Sequence, residues 1–170
     1  MKYIIKKYNI RIKGEQLACD PFIKRNAEDL EFVKAHKSEI IEFIKKAEEN
    51  AKKEKEDRKA KIKNIVGLAE IKNAISEYES YKEELDNFVL SGATGKAPIK
   101  PSADIEAMKR THPRAAAYLY AEEYSYAAHF IKANAGREAL EKIINGEPFE
   151  EAIANMEKIW SNYCAEHTMD

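Results

Sequence analysis

Apolar and polar residues alternate near the start of the chain, in the segment YNIRIKGEQLACDP. Ile10 and Ile12 stand before the turn sequence KGE at 13–15, and Leu17 and Cys19 stand after it. A period of two residues is typical of a β-strand, and a glycine between two such segments favours a tight turn. The pattern predicts a β-hairpin whose second strand ends at Pro21, with no helix ahead of it.

A helical period replaces this alternation after Asn26. Apolar residues recur at the spacings of one helix face, at Leu30, Val33, Ile40, Ile41 and Ile44. Asn26 is a favourable N-cap, and Glu28 and Asp29 fall in the first turn, where acidic side chains suit the helix dipole. The pattern predicts one helix from Ala27, whose apolar stripe fades beyond Ala47.

The charge run EENAKKEKEDRKAKIK occupies 48–63. It is either a solvated helix or a hinge, and the absence of glycine and proline favours a rigid helical spacer. A second amphipathic helix is predicted from Asn64, with a stripe that includes Leu68, Ile71, Ile75, Tyr78 and Leu85. That stripe packs either within one chain or between two, so a homodimer is a possibility. Two glycines and two prolines predict a linker at 91–103.

A tyrosine- and alanine-rich stretch follows, HPRAAAYLYAEEYSYAAHFIKANAG at 112–136, and the pattern predicts one helix that opens at Pro113. At 100° per residue, one narrow polar strip holds Arg114, Tyr118, Glu122, Ser125, His129 and Lys132. Glu123 falls within the apolar arc and needs a polar partner there. The tyrosines of the apolar arc either belong to the core, with a hydroxyl paired to a group such as Glu123, or line a binding surface. We expect Tyr120 and Tyr124 in the core, and Tyr118, on the polar strip, to be the exposed tyrosine.

Two further helices are predicted after Gly136, one ending at Asn145-Gly146 and one beginning at Pro148. The last helix carries a stripe at alternating spacings of four and three: Phe149, Ile153, Met156, Trp160 and Tyr163. We expect this stripe to pack against the tyrosine-rich helix, with Trp160 as a core anchor.

The predicted fold is therefore mainly α, with a short N-terminal β-hairpin, long amphipathic helices and a C-terminal helical bundle. Its expected parts are a hairpin-and-helix domain at 1–47, the charged spacer at 48–63 and the bundle at 64–170. Composition agrees, because 35% of the 170 residues are charged and only six are glycine, which is typical of helical proteins.

Charge is distributed unevenly along the chain. Residues 1–63 contain 18 Lys and Arg against 12 Asp and Glu, a net charge of +6, whereas residues 64–170 contain 11 against 18, a net charge of −7. The basic half can meet an acidic partner such as nucleic acid, or its lysines can simply solvate helices. Both readings stay open.

Motifs of known chemistry are missing from the sequence. The four histidines lie in separate segments, only Cys164 and His167 form a local pair, and no glycine-rich phosphate loop or nucleophile motif is present. We expect no enzyme activity, no cofactor and no metal site. The sequence also lacks an apolar run long enough for a membrane span, so we expect no membrane association and a cytoplasmic location.

The segment from Tyr8 to Lys46 resembles the N-terminal docking domains of some nonribosomal peptide and polyketide synthetase subunits. The matching features are YNIRIKGEQL, a hairpin, and LEFVKAHKSEIIEFI, with its Lys-x-His-Lys core and Ile-Ile pair. The resemblance implies that the exposed hairpin edge accepts a partner peptide as an added strand. A helix precedes the hairpin in that family, and none is predicted here.

The segment from His112 to His167 resembles uncharacterised small proteins of phages and mobile elements from gut bacteria. Small helical phage proteins of this kind often act by occupying a host protein, as anti-CRISPR proteins do. The resemblances imply a non-catalytic inhibitor in the cytoplasm of a bacterial host, whose partner is a protein or ribonucleoprotein, most concretely a Cas effector.

Candidate partner contacts are basic and aromatic residues that we expect at the surface: Tyr8, Arg11, Lys13, Lys34, Lys37, Arg114 and Tyr118. The alternative function is nucleic-acid binding by the basic half, with phosphate contacts from Lys6, Lys7, Arg11, Lys13, Lys24 and Arg25. Tyr3, Tyr8 and Phe22 would then stack on bases.

Overall fold

The computed structural model describes residues 1–14 and 16–167, and eight α-helices make up most of these residues. In chain order the elements are α1 (Lys2–Lys7), β1 (Arg11–Lys13), β2 (Gln16–Ala18), a 3-10 turn (Pro21–Arg25), α2 (Ala27–Ala35), α3 (Lys37–Lys63), α4 (Leu68–Leu90), α5 (Ile105–Thr111), α6 (Pro113–Ser125), α7 (Phe130–Ile144) and α8 (Phe149–Glu166). The mainly-α prediction with an N-terminal hairpin is confirmed.

The chain forms two compact units, Met1–Asp57 and Arg58–Asp170, and the division falls inside α3. The predicted charge run at 48–63 is helical throughout, because α3 runs without interruption to Lys63. Its last turns belong to the C-terminal unit. There Arg58 forms an ion pair with Glu141, and Lys61 donates a hydrogen bond of 2.9 Å to the Asn145 side chain.

The N-terminal unit contains the predicted hairpin. Strands β1 and β2 are antiparallel, with Ile12 opposite Leu17, and Gly14 takes a positive φ of 63° in the turn. The expectation of no preceding helix was wrong, because α1 comes first. Its Ile4 and Ile5 pack on the core of this unit, and tertiary packing of this kind stabilises a six-residue helix that is too short to persist alone.

The predicted helix beginning at Ala27 is divided at His36. Asn26 caps α2 as expected, accepting a hydrogen bond of 3.1 Å from the Asp29 amide. At His36 the backbone leaves helical geometry, the imidazole contacts the Phe32 ring and lies 3.2 Å from Glu39, and α3 then begins. Val33 on α2 and Ile40 on α3 are buried in the same core. The prediction of one helix was wrong, because the break at His36 separates α2 from α3.

In the C-terminal unit, α7 packs against both α6 and α8, and α6 and α8 also contact each other. Met156 of α8 is buried in this core. Helix α8 contacts α6 as well as α7, with more of the contact made to α7, so the expected packing of α8 on the tyrosine-rich segment is confirmed in part. In α4, Leu68 and Ile71 are buried within the unit, whereas Val89 and Leu90 are exposed at the C-terminal end of the helix.

The connection before α6 follows the sequence prediction closely. Residues 91–104 are not helical, Asp104 caps α5 by accepting a hydrogen bond of 2.9 Å from the Ala107 amide, and Pro113 occupies the first turn of α6. Helix α4 begins at Leu68 rather than Asn64. Gly67 before it has a φ of 80°, and a side chain there would overlap the His112 ring.

The single helix expected over the tyrosine-rich stretch is two helices. Helix α6 ends at Ser125 and α7 begins at Phe130, whereas Gly136, the expected boundary, lies inside α7. A Cβ on Gly136 would lie 2.7 Å from the Tyr124 carbonyl carbon and even closer to the Ser125 amide nitrogen. This glycine therefore permits close helix packing rather than ending a helix.

The buried face of α6 is also different from the predicted one. It is formed by Ala115, Ala117, Tyr118 and Ala121. Tyr118 is only 5% exposed, whereas Tyr120 is 36% and Tyr126 is 81% exposed, and Glu123 lies on the surface. The expected core position of Tyr120 and the expected exposure of Tyr118 were therefore wrong, because small alanines rather than the other tyrosines form the contact face.

Candidate functional site

The hairpin presents a basic face to solvent. Arg11 and Lys13 are exposed and, two residues apart on β1, lie on the same face of the sheet. Ile12 and Leu17 are partly buried on the other face, where they pack on the core of the N-terminal unit. Two of the predicted partner contacts are therefore side by side at the surface.

The edges of this hairpin are open. In the part of the chain that the structure describes, the sheet has only two strands, so β1 and β2 each have one neighbouring strand. Alternate residues of such a strand direct their backbone N–H and C=O groups away from the paired strand. The outward groups can pair with a further strand from another chain.

Tyr8 supports the hairpin from inside the unit. It is 5% exposed, and its hydroxyl donates a hydrogen bond of 2.6 Å to Asp29 Oδ2. Lys7 Nζ donates to the same oxygen at 2.9 Å. The hydrogen bond from Tyr8, with that from Lys7, lowers the pKa of Asp29 below its usual range. The expected surface position of Tyr8 was wrong, because its hydroxyl anchors α1 to α2.

We expect Tyr8→Phe to raise the pKa of the Asp29 carboxyl more than Lys7→Gln does, because the tyrosine hydrogen bond contributes most to the shift. Ionised Asp29 stabilises the N-terminal unit above its unfolded pKa, and that stability is lost as the pH falls through the lower folded pKa. NMR titration of the Asp29 carboxyl carbon in the full chain measures the shift. Tyr3→Phe, at an exposed tyrosine of α1, is the control and should leave this pKa unchanged.

Lys34 and Lys37 lie on either side of the break at His36. Both are exposed, and Lys34 Nζ forms an ion pair of 3.1 Å with Glu31. Among the described residues, no hydrogen bond or ion pair connects them to the hairpin. They therefore form a second basic position of the N-terminal unit, and a shared binding surface with Arg11 and Lys13 stays a prediction.

Tyr118 and Arg114 lie on α6 and make internal contacts. The Tyr118 hydroxyl donates to Glu122 at 3.3 Å, and Lys72 forms an ion pair of 2.7 Å with the same carboxylate. Burial, with the Glu122 charge, raises the pKa of Tyr118 to about 12. Arg114 donates a hydrogen bond to the Ile143 carbonyl at the end of α7. We therefore place the candidate partner contacts on the exposed basic residues of the N-terminal unit.

His129 and Trp160 belong to an aromatic group at one end of the C-terminal unit. The His129 ring centroid lies 5.0 Å from that of Trp160 and 4.6 Å from that of Tyr163. Trp160 is half-buried rather than a core anchor, and Lys132 Nζ lies 5.6 Å from its ring. The buried Nδ1 of His129 has no hydrogen-bond partner among the described residues. The predicted strip shared with Glu122 is not formed, since α6 ends before His129.

Sequence reasoning did not anticipate a cavity of about 370 Å³ between α6 and the start of α8. It is lined by Ala116, Ala117, Tyr120, Phe149, Glu150 and Ile153. The tyrosine-rich pattern drew attention to Tyr120, but the helical wheel placed it in the core. Only the packing of α8 beside α6 turns these residues into a pocket.

Within residues 1–14 and 16–167, no helix has the length and apolar character required to cross a membrane. The same residues contain no cluster of three His, Cys, Asp or Glu side chains placed to hold a metal ion. Comparison of the chain with protein-family models, curated proteins and solved structures gave no match.

Proposed function

We propose that this protein acts by binding, and that its hairpin accepts an extended, acidic segment of a partner protein. The observation that carries this proposal is the open hairpin edge beside two exposed cations, Arg11 and Lys13. An added strand gains main-chain hydrogen bonds along the edge, while side chains two residues apart determine specificity. Carboxylates at the same spacing in the partner complement Arg11 and Lys13.

In its most specific form, the proposal is that the partner is a Cas effector ribonucleoprotein and that the protein is a non-catalytic inhibitor in a bacterial host. The resemblance of Tyr8 to Lys46 to docking domains supports the mode of binding. Helix α1 supplies the helix ahead of the hairpin that those domains have, which adds to this support. The target class rests on the resemblance of the C-terminal half to small phage proteins.

We expect the full chain to co-elute with at least one effector in a panel of purified Cas effectors and to suppress its DNA binding or cleavage. The double substitution Arg11→Glu with Lys13→Glu should weaken that complex about 10-fold or more, because both cations then repel the acidic segment. The matched control is Lys52→Glu with Lys53→Glu, two exposed lysines of the same unit on α3. Isothermal titration gives the affinities.

The two parts of the proposal fail separately. If no effector binds, the Cas target is wrong. If an effector binds equally well to both double variants, the hairpin is not the contact surface. A threefold or smaller loss for the hairpin variant, with a large loss for the α3 control, would move the contact to α3.

A second candidate function, nucleic-acid binding, is favoured by two exposed aromatic rings of the N-terminal unit. Tyr3 is 72% and Phe22 is 59% exposed. Lys7 Nζ lies 5.7 Å from the Tyr3 ring centroid, and the Arg25 guanidinium lies 4.7 Å from that of Phe22. Rings beside cations suit stacking on bases next to phosphates. Tyr8 is excluded from this role because it is buried.

Mobility shifts of single-stranded oligonucleotides at rising salt separate the two functions. Binding through phosphates should weaken steeply with salt, and Phe22→Ala should weaken it further by removing a stacking platform. A protein partner held by main-chain hydrogen bonds and two charge pairs should weaken less steeply with salt than a complex with many phosphate contacts. The absence of any shift in low salt would remove the nucleic-acid function.

A further inference from the structure

The cavity between α6 and α8 has the character of a preformed binding pocket. Its volume of about 370 Å³ falls in the range of small-ligand sites, about 300–1,000 Å³. Ala116 and Ala117 of α6 and Phe149 and Ile153 of α8 give it an apolar lining. Such a concave surface removes a large apolar side chain from water.

The rim of the pocket is fixed by polar contacts. The Tyr120 hydroxyl donates a hydrogen bond of 3.1 Å to Glu157 Oε1 and lies 3.3 Å from the Tyr124 hydroxyl. The Tyr120 and Tyr124 rings also meet edge to face, with centroids 5.0 Å apart. Because the exposed Tyr120 ring is held in place, an incoming group finds the pocket open and loses little free energy in ordering it.

The charges around this pocket are negative. Glu150 lines it, and Glu157 lies beside its tyrosine rim. Among the described residues that line the pocket, none is Lys or Arg. The N-terminus of α8 contributes about half a positive charge, which the full charge of Glu150 outweighs. An occupant with an apolar body and a nearby cation therefore complements both the shape and the charge of the site.

We propose that this pocket binds a large apolar side chain of a partner-protein segment that carries lysine or arginine next to it. The site is independent of the proposed hairpin interaction, since it lies in the other unit and selects the opposite charge. It assigns a role to the tyrosine-rich helix: Tyr118 supports the core, and Tyr120 shapes a recognition pocket.

The test compares two peptides of the same apolar core, acetyl-Lys-Leu-Phe-Lys-amide and acetyl-Glu-Leu-Phe-Glu-amide. Each is titrated into the methyl-labelled full chain, and the methyl resonances of Ile153 and Ala116 report on occupancy. The basic peptide should shift both resonances and bind about fivefold or more tightly than the acidic one, an effect of the size expected for two partly exposed carboxylates.

Two test variants and one control variant keep the experiment decisive. Ala116→Trp fills the pocket from its partly exposed side and should abolish the shift of Ile153, whereas Ala51→Trp, on the exposed surface of α3, should not. Glu150→Gln should reduce the preference for the basic peptide without loss of folding. Equal affinities for the two peptides, no shift of Ile153 by either, or unchanged binding to Ala116→Trp would each overturn the proposal.

Discussion

Replacing Tyr118 by alanine is expected to destabilise the C-terminal unit by about 3–5 kcal/mol, the usual cost of removing a buried aromatic side chain. The ring is 5% exposed and packs with Ile71 and Ala121 in the same core. The substitution also removes the hydrogen bond from the Tyr118 hydroxyl to Glu122. It removes the contact between Lys72 and the aromatic ring as well, in which Lys72 Nζ lies 5.2 Å from the ring centroid. The substitution therefore leaves a cavity beside the ion pair of Lys72 with Glu122.

Thermal unfolding followed by the fluorescence of Trp160, the only tryptophan, measures the loss of stability of the C-terminal unit, to which Trp160 belongs. A decrease of roughly 10 °C or more in melting temperature corresponds to the expected cost. Tyr126→Ala, at a tyrosine that is 81% exposed, is the matched control and should change stability by no more than about 0.5 kcal/mol. Similar small shifts for both variants would contradict the burial of Tyr118.

Gly136→Ala is expected to destabilise the same unit by about 2–3 kcal/mol through overpacking. Glycine to alanine within a helix ordinarily gains about 1 kcal/mol, so the sign of the effect is the informative result. Here the new methyl group would overlap backbone atoms of Tyr124 and Ser125 at the end of α6. Backbone cannot rotate away as a side chain can, so α7 must move from α6.

The control for this substitution is Asn134→Ala on an exposed position of the same helix, which removes only a surface contact with Arg137. Its melting temperature should remain close to that of the original protein. A crystal structure of the Gly136→Ala variant should show a wider separation of α6 and α7. A gain in stability would mean that the close approach at Gly136 is not maintained in solution.

Local signals in the sequence predicted the structure correctly where a single residue type determines the backbone conformation. The hairpin, the caps Asn26 and Asp104, the linker and Pro113 were all predicted, because each depends on turn or capping chemistry within a few residues. Helix breaks at His36 and after Ser125 were missed. Neither contains a glycine or proline, so no turn-forming residue marks them in the sequence.

The orientation of α6 was missed for a different reason. Hydrophobic periodicity treats tyrosine as apolar, so the wheel assigned the face with most tyrosines to the core. In the structure three alanines and Tyr118 form the buried face, since small side chains allow α7 to approach. The pocket at Tyr120 was therefore not predictable from α6 alone, because half of its lining residues come from α8.

The candidate partner contacts were predictable only in part. Arg11 and Lys13 are exposed because a period of two places them on the face opposite the partly buried Ile12. Tyr8 and Tyr118 were misplaced because a tyrosine that precedes a strand or lies on a helix has either of two environments, and its hydroxyl partner decides between them. Those partners, Asp29 and Glu122, are ordinary surface residue types in the sequence.

The two cations on β1 also control how the protein behaves at high concentration. An unpaired strand edge is a template for sheet growth, and identical edges on neighbouring molecules are the most abundant competitors for it. When two copies of β1 meet, Arg11 and Lys13 of one face the same cations of the other, and like charges across a strand pair are unfavourable. We therefore expect this edge to resist polymerisation of the protein with itself and to favour strands of opposite charge.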